Sequence, residues 1–203
     1  MNVTEKNSAF EERDAEQRLA AHPARGRRTG MLAKMGVMLA ITVVFSFIPT
    51  FPMLPGVEFI RYEFSDLPIL ISTFAFGVPA GLVIAVLADV LNFAFGGAES
   101  GPAGMLMHVV AISSYLVVAG LIYRRKKNRS HAVIGMVAGV FAMTAMMIPA
   151  NLIITPAFMG VPVAAVKALI LPAILPVNLL KGLLSALLTF ILYKRVSPFL
   201  HKW

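Results

Sequence analysis

Six polar side chains stand inside long apolar stretches of this sequence, where few such groups are expected. They are Asp89, Asn92, His108, Asn151, Asn178 and Lys181. The first two, and likewise the last two, are three residues apart, which places each pair on one face of a helix. An ionisable side chain in hydrocarbon costs free energy, so such a residue is a functional candidate by default. Together these groups could form ion pairs and hydrogen bonds with a small polar ligand.

The composition indicates which solvent surrounds these residues. Hydrophobic residues make up 58% of the 203 residues and charged residues 14%, against about 25% charged residues in a typical soluble domain. The apolar residues are gathered in long blocks separated by short polar segments. This pattern predicts an all-α integral membrane protein, in which one bundle of transmembrane helices lies in the lipid bilayer.

Six apolar blocks are candidate membrane spans, each of which ordinarily needs about 20 mostly apolar residues. They cover about 31–48, 67–76, 80–95, 103–123, 132–154 and 172–196. The second is short, and a tight turn at 77–79 joins it to the third. The connection at 156–171 could carry a short interfacial helix. Residues 1–29 are expected to form a flexible tail, which leaves 30–203 as a six-helix transmembrane domain.

The distribution of charge predicts the orientation of the bundle. Basic residues flank the first block, fill the loop after the fourth and follow the sixth: Arg25, Arg27, Arg28, Lys34, Arg124, Arg125, Lys126, Lys127, Arg129, Lys194, Arg195 and Lys202. With six spans, all three clusters fall on one side. By the positive-inside bias the tail and both termini face the cytoplasm, and the protein is expected in the cell membrane. The net charge of +8 therefore does not indicate a nucleic-acid partner.

Several motifs of enzymes and metal proteins are absent from the sequence. It has no G-x-x-x-x-G-K-[ST] phosphate loop and no H-E-x-x-H pair, and its four histidines are too scattered to suggest a metal cluster. Without cysteine there can be no disulfide, thiolate metal site or cysteine nucleophile. We therefore expect a protein that is not an enzyme and has no resident cofactor or metal.

Each polar residue also has a structural interpretation. Asn92 and Asn151 could equally hydrogen-bond a neighbouring helix. Lys181 could form an ion pair with Asp89, and His108 could be satisfied within the bundle. The clustering of all six residues toward one leaflet favours an outward-facing polar pocket with apolar walls, which is how small-molecule sites are commonly built.

Five short motifs follow one another along the chain. They are IRYEFSDLP at 60–68, FGVPAG at 76–81, GPAG at 101–104, AGLIYRRKK at 119–127 and ILPVNLLKG at 174–182. With them the chain resembles, over about 31–200, the substrate-binding subunits (S components) of energy-coupling factor (ECF) vitamin transporters, and among these the riboflavin-specific branch. The last motif is the most specific, because an asparagine and a lysine three apart after a proline inside a span rarely arise by chance.

The resemblance implies a six-helix fold that captures riboflavin outside the cell and associates with a membrane scaffold subunit and two ATPase subunits. It implies that Asn151, Asn178 and Lys181 contact the ligand, and that the loop at 50–65, which contains Tyr62, covers the site. A flavin offers a flat ring to apolar walls and polar edges to amide and ammonium groups. The small residues Gly36 and Ala40, four apart in the first block, match the scaffold-docking motif of the family, with glycine in place of one alanine.

Two departures from the riboflavin binders lie near the expected site. Ala88 and Asp89 stand where those proteins commonly have lysine and asparagine, and Met105 and His108 stand where they have glutamate and asparagine. Exchanging buried polar partners can shift specificity strongly. The alternatives to a riboflavin-binding S component are therefore an S component for another vitamin or flavin-like molecule and, in a different class, a stand-alone membrane carrier.

Overall fold

The computed structural model describes residues 29–48, 51–52, 61–96 and 101–201, with side chains described over 29–48, 62–96 and 101–192. Of the flexible tail expected at 1–29, residues 1–28 lie outside the described residues, and Thr29 already belongs to the first helix. The helices are α1 (Thr29–Ser46), α2 (Asp66–Phe76), α3 (Val78–Ala94), α4 (Gly101–Arg125), α5 (Arg129–Met159), α6 (Val163–Leu169) and α7 (Leu175–His201), with a π-helical segment at Ile170–Ile174 between the last two. Two short strands, β1 (Phe51–Pro52) and β2 (Arg61–Tyr62), pair antiparallel.

Four helical stretches are long and apolar enough to cross a membrane: Thr29–Ser46, Gly101–Arg125, Arg129–Met159 and Val163–Leu192. The helices α2 and α3 are apolar but have only 11 and 17 residues. At about 1.5 Å per residue, α2 extends roughly 16 Å, which is about half of the hydrocarbon thickness. The all-α membrane bundle predicted from the sequence is confirmed, with α2 and α3 as its short members.

The connection predicted at 156–171 is shorter in the structure. Helix α5 continues through Pro149 and Pro156 to Met159, and it ends at Gly160, whose φ of 66° is readily adopted by glycine. The short helix expected in this connection is present as α6, which leads through the π-helical segment into α7. Proline did not end α5 because neighbouring helices in a membrane bundle can compensate for the backbone hydrogen bond that proline removes.

Small residues allow the helices around the polar side chains to approach closely. Helix α5 packs against α4 and α7, while α2 packs against α3, α4 and α7. A Cβ atom added at Gly135 on α5 would lie 2.7 Å from the carbonyl oxygen of Ala119 on α4, and one added at Gly182 on α7 would lie 2.9 Å from a Val140 methyl. These contacts, all within the compact unit Met38–Trp203, fix which helix faces meet.

Candidate functional site

A histidine on α4 is the centre of a cluster of charged side chains. The Nδ1 atom of His108 lies 2.8 Å from both carboxylate oxygens of Asp89 on α3. Its Nε2 atom lies 2.8 Å from Oδ1 of Asp66 and 3.0 Å from Oε2 of Glu63. An ionised carboxylate can only accept hydrogen bonds, so this geometry suits an imidazolium that carries a proton on each nitrogen. His108 therefore bridges α3 to the start of α2.

A lysine on α7 reaches two of the same carboxylates. The Nζ atom of Lys181 lies 3.4 Å from Oε2 of Glu63 and 3.6 Å from Oδ2 of Asp66, and its side chain is 12% exposed. The sequence suggested an ion pair between Lys181 and Asp89, and that pairing is wrong. Asp89 faces His108 instead, whereas α2 packs directly against α7 and carries Asp66 to the lysine.

The segment before α2 positions the acidic side chains. Tyr62, in β2, is fully buried, and its ring packs edge-on against Phe64 at 5.2 Å between centroids. Asp66 is the first residue of α2, where the helix dipole favours a carboxylate. The hydroxyl of Ser185, one turn beyond Lys181 on α7, lies 3.3 Å from Tyr62 Oη and 3.4 Å from Asp66 Oδ2. Ser185 thus ties the segment at 62–66 to α7.

Two groups that precede α2 have shifted acid–base properties. Burial raises the pKa of the Tyr62 phenol to about 12, so this hydroxyl stays neutral. Burial alone would also raise the pKa of the Glu63 carboxyl, but the Lys181 ammonium and the His108 ring together outweigh it and hold that pKa well below its usual range. Glu63 is therefore ionised at physiological pH.

The two buried asparagines predicted to contact a ligand each donate one hydrogen bond to the backbone carbonyl four residues earlier. Nδ2 of Asn178 donates to the Ile174 carbonyl at 2.7 Å, and Nδ2 of Asn151 donates to the Met147 carbonyl at 2.8 Å. Their residues are 4% and 6% exposed. Each amide has a second N–H and further acceptor capacity, so these bonds leave part of each side chain for another partner.

Asn92, three residues after Asp89 on α3, differs from the other asparagines. Its Oδ1 atom is buried and has no hydrogen-bond partner among the described residues. A buried amide oxygen is ordinarily paired with protein or water, so an orphaned one marks a place where a donor is expected.

The structure brings together most of the predicted site residues. Asp89, His108 and Lys181 belong to the charged cluster, Tyr62 joins it through Ser185, and Asn178 lies one helical turn from Lys181. Asn92 and Asn151 lie on α3 and α5, and within the described residues no hydrogen bond connects them to the cluster.

Sequence reasoning missed Glu63, Asp66 and Ser185 as site residues. The two acidic residues lie in the motif at 60–68, but outside the apolar blocks, so hydropathy places them in a loop. Ser185 carries no sequence signal beyond its spacing of four from Lys181 on one helical face.

Three side chains of the cluster lie close enough together to bind a metal ion. One ligand atom each from Glu63, Asp66 and His108 lies within 4.8 Å of the others. The spacing of the histidines could not reveal this group, because two of its three members are carboxylates. Both carboxylates, however, already lie beside the Lys181 ammonium, which would repel a cation. The charges present therefore favour an internally paired cluster over a metal centre.

Comparison with known proteins identifies the family. A family model described as "ECF transporter, substrate-specific component" matches residues 30–193. The chain belongs to this family. The S component is 29% identical over 178 residues to the riboflavin transporter RibU of Staphylococcus aureus (strain TCH60), covering 84% of this chain and 92% of the relative. It is 24% identical over 160 residues to the riboflavin transporter FmnP of Bacillus subtilis (strain 168), covering 75% and 83%.

Two solved structures share the fold of this S component. One, described as the S component of a bacterial ECF transporter, superposes with a TM-score of 0.75 at 28% identity and covers 86% of this chain and 99% of its own. The S component for biotin from an ECF-type ABC transporter superposes with a TM-score of 0.58 at 14% identity, over 83% of this chain and 93% of its own, which shows a shared fold alone. The chain is thus a membrane protein and a transporter component.

Proposed function

We propose that this S component binds riboflavin from outside the cell, as the substrate-capturing subunit of an ECF vitamin uptake transporter. The observation that carries the proposal is that Asn178, which is buried, and Lys181 lie three residues apart on one face of α7, where Lys181 is part of the charged cluster around His108. The riboflavin transporters of Staphylococcus aureus and Bacillus subtilis, which are similar to this chain over most of its length, support the choice of vitamin.

The chemistry of the site suits a flavin. Lys181, Asn178 and Asn151 can donate hydrogen bonds to the carbonyl edge of the ring, while amide oxygens such as the orphaned Asn92 Oδ1 can accept from N–H or hydroxyl groups. Asp89, His108 and Tyr62 complete the proposed site, with Tyr62 on the segment that leads into α2. Fully buried apolar side chains such as Ile112 and Val177, on α4 and α7, lie on the helices that carry the polar groups.

The test is a titration of the purified full chain in detergent. We expect saturable, one-to-one quenching of riboflavin fluorescence, and a yellow chromophore on protein purified from cells that contain the vitamin. Biotin, an unrelated vitamin, is the matched control ligand and should not displace riboflavin. Absence of both quenching and bound flavin would refute riboflavin binding, whereas displacement by another vitamin would reassign the substrate.

We further propose that the protein works with a membrane scaffold subunit and two ATPase subunits, and that Gly36 and Ala40 dock the scaffold. Both are exposed on α1, and a Cβ atom added at Gly36 would meet no atom within 4 Å. Small exposed residues four apart allow another helix to approach closely.

Replacing both small residues with leucine should block this approach. In the variant Gly36→Leu, Ala40→Leu, we expect riboflavin binding to persist while copurification with the scaffold falls. Val37→Leu, at a residue that is 60% exposed on the same helix, is the control and should assemble normally. Undiminished copurification of the double variant would show that this face does not dock the scaffold.

A further inference from the structure

All the carboxylate side chains that the structure describes lie in one cluster. Over residues 29–48, 62–96 and 101–192, the only acidic residues are Glu63, Asp66 and Asp89, and all three contact His108. Lys181 is the second cation of the cluster. Three negative charges therefore face at most two positive ones, and the cluster is net negative whether or not the histidine is protonated.

The lysine does not offer a free positive charge to an incoming anion. Its Nζ atom lies within 3.6 Å of two carboxylates, and the side chain is 12% exposed. A negatively charged group on a bound ligand would therefore meet the field of an ammonium that is already compensated and of an excess of carboxylate. Coulomb interactions are stronger in such a poorly solvated place than in water, so the excess charge is felt over several ångströms.

Asp89 accounts for the excess negative charge of the cluster. Glu63 and Asp66 share both cations, because Lys181 and His108 reach each of them, whereas His108 is the only cation within 4 Å of Asp89 among the described side chains. With a neutral side chain at this position, two carboxylates would face two cations. Asp89 is 11% exposed at its side chain, so solvent does little to screen it.

We propose that this cluster makes the site select uncharged ligands over anionic ones, with Asp89 as the specificity-determining residue, so that the protein distinguishes riboflavin from its 5′-phosphate ester. The inference rests on the proposed function. The ester differs from the vitamin by one phosphate group, which carries a charge of about −1.5 to −2 at neutral pH. Discrimination follows from this charge and from the net charge of the site.

The experiment compares dissociation constants for riboflavin and its 5′-phosphate ester by fluorescence quenching of the full chain in detergent at neutral pH. We expect the ester to bind at least about tenfold more weakly. Asp89→Asn, which removes the excess charge and keeps a hydrogen-bond acceptor for His108, should reduce this ratio at least about threefold. Lys167→Gln, at an exposed residue on α6, also changes the net charge by one and should leave the ratio unchanged.

The outcomes separate this inference from the proposed function. Equal affinity for the two ligands in the unmodified chain, or an undiminished ratio in Asp89→Asn, overturns the inference while riboflavin binding stands. Failure to bind riboflavin at all refutes the proposed function instead. If Asp89→Asn does not fold, Glu63→Gln removes one charge from a side chain that is 37% exposed, and an undiminished ratio in that variant overturns the inference equally.

Discussion

At the residue scale, the candidate site is a cluster of three carboxylates that contact two cations. His108 has carboxylates at both ring nitrogens, and Lys181 shares two of them. A buried charge that loses its partner remains desolvated and uncompensated, which typically costs about 3–5 kcal/mol. The cluster therefore holds α2, α3, α4 and α7 together, and we propose that it also presents polar groups to a ligand.

Replacing His108 with alanine should destabilise the protein. The change leaves Asp89 without an ion-pair partner in the described part of the chain, and we expect the free energy of unfolding to fall by about 3–5 kcal/mol, measured as a lower Tm in detergent. His131→Ala is the control, since the ring of His131 makes only a solvent-exposed hydrogen bond to Asn128, and its backbone N–H, which donates to the same Asn128 cap, is kept; its effect should stay within about 0.5 kcal/mol. Equal Tm values for the two variants would contradict the bridging role of His108.

The sequence predicted which polar residues matter, but it did not predict their partners. Asp89, His108 and Lys181 stand out because an ionisable group in an apolar block is costly. Their pairing depends on the rotation of each helix about its axis and on how far α2 reaches, which hydropathy does not encode. For that reason Lys181 was paired with Asp89 in the sequence interpretation, whereas its partners are Glu63 and Asp66.

At the element scale, hydropathy and turn residues predict the helices well and their ends less well. The break at Gly77 between α2 and α3 is confirmed, because its φ of 97° suits glycine. The end of α5 was placed too early, since a proline that would end a soluble helix is tolerated in a bundle. The close contacts between helices at Gly135 and Gly182 depend on tertiary packing, so hydropathy and turn residues could not predict them.

Gly135 should be intolerant of even one added methyl group. In Gly135→Ala the new Cβ would lie 2.7 Å from the Ala119 carbonyl oxygen, so α4 and α5 must separate. We expect a loss of about 1–3 kcal/mol in the free energy of unfolding, measured by thermal unfolding. Gly36→Ala meets no atom within 4 Å and improves helix propensity, so its Tm should not fall. If the two alanine variants unfold at the same temperature, the packing of α4 on α5 is not as described.

At the scale of the whole molecule, the proposed orientation can be tested cleanly because the chain has no cysteine. Lys126, in the basic loop after α4, and Lys167, on α6, are both exposed. With both termini cytoplasmic, a membrane-impermeant thiol reagent added to intact cells should label Lys167→Cys. It should label Lys126→Cys only after permeabilisation. The reverse pattern would invert the proposed topology.

The proposal that this chain binds the vitamin while other subunits supply the energy can also be tested on the isolated chain. We propose that this S component captures its vitamin and that the energy for uptake comes from its partners. In liposomes that contain this chain alone, we expect riboflavin to bind without accumulating or exchanging across the bilayer. Transport by the chain alone would make it a stand-alone carrier.

The most direct test of the whole account is the riboflavin affinity of Asn178→Ala and Lys181→Ala, measured by calorimetric titration of folded protein. Each lost hydrogen bond to a buried or charged group should weaken binding by about tenfold or more. Leu171→Ala, at a residue that is 77% exposed, should bind as the unmodified chain does. Unchanged affinity in both site variants, with folding confirmed by their Tm values, would show that the polar face of α7 does not contact the vitamin.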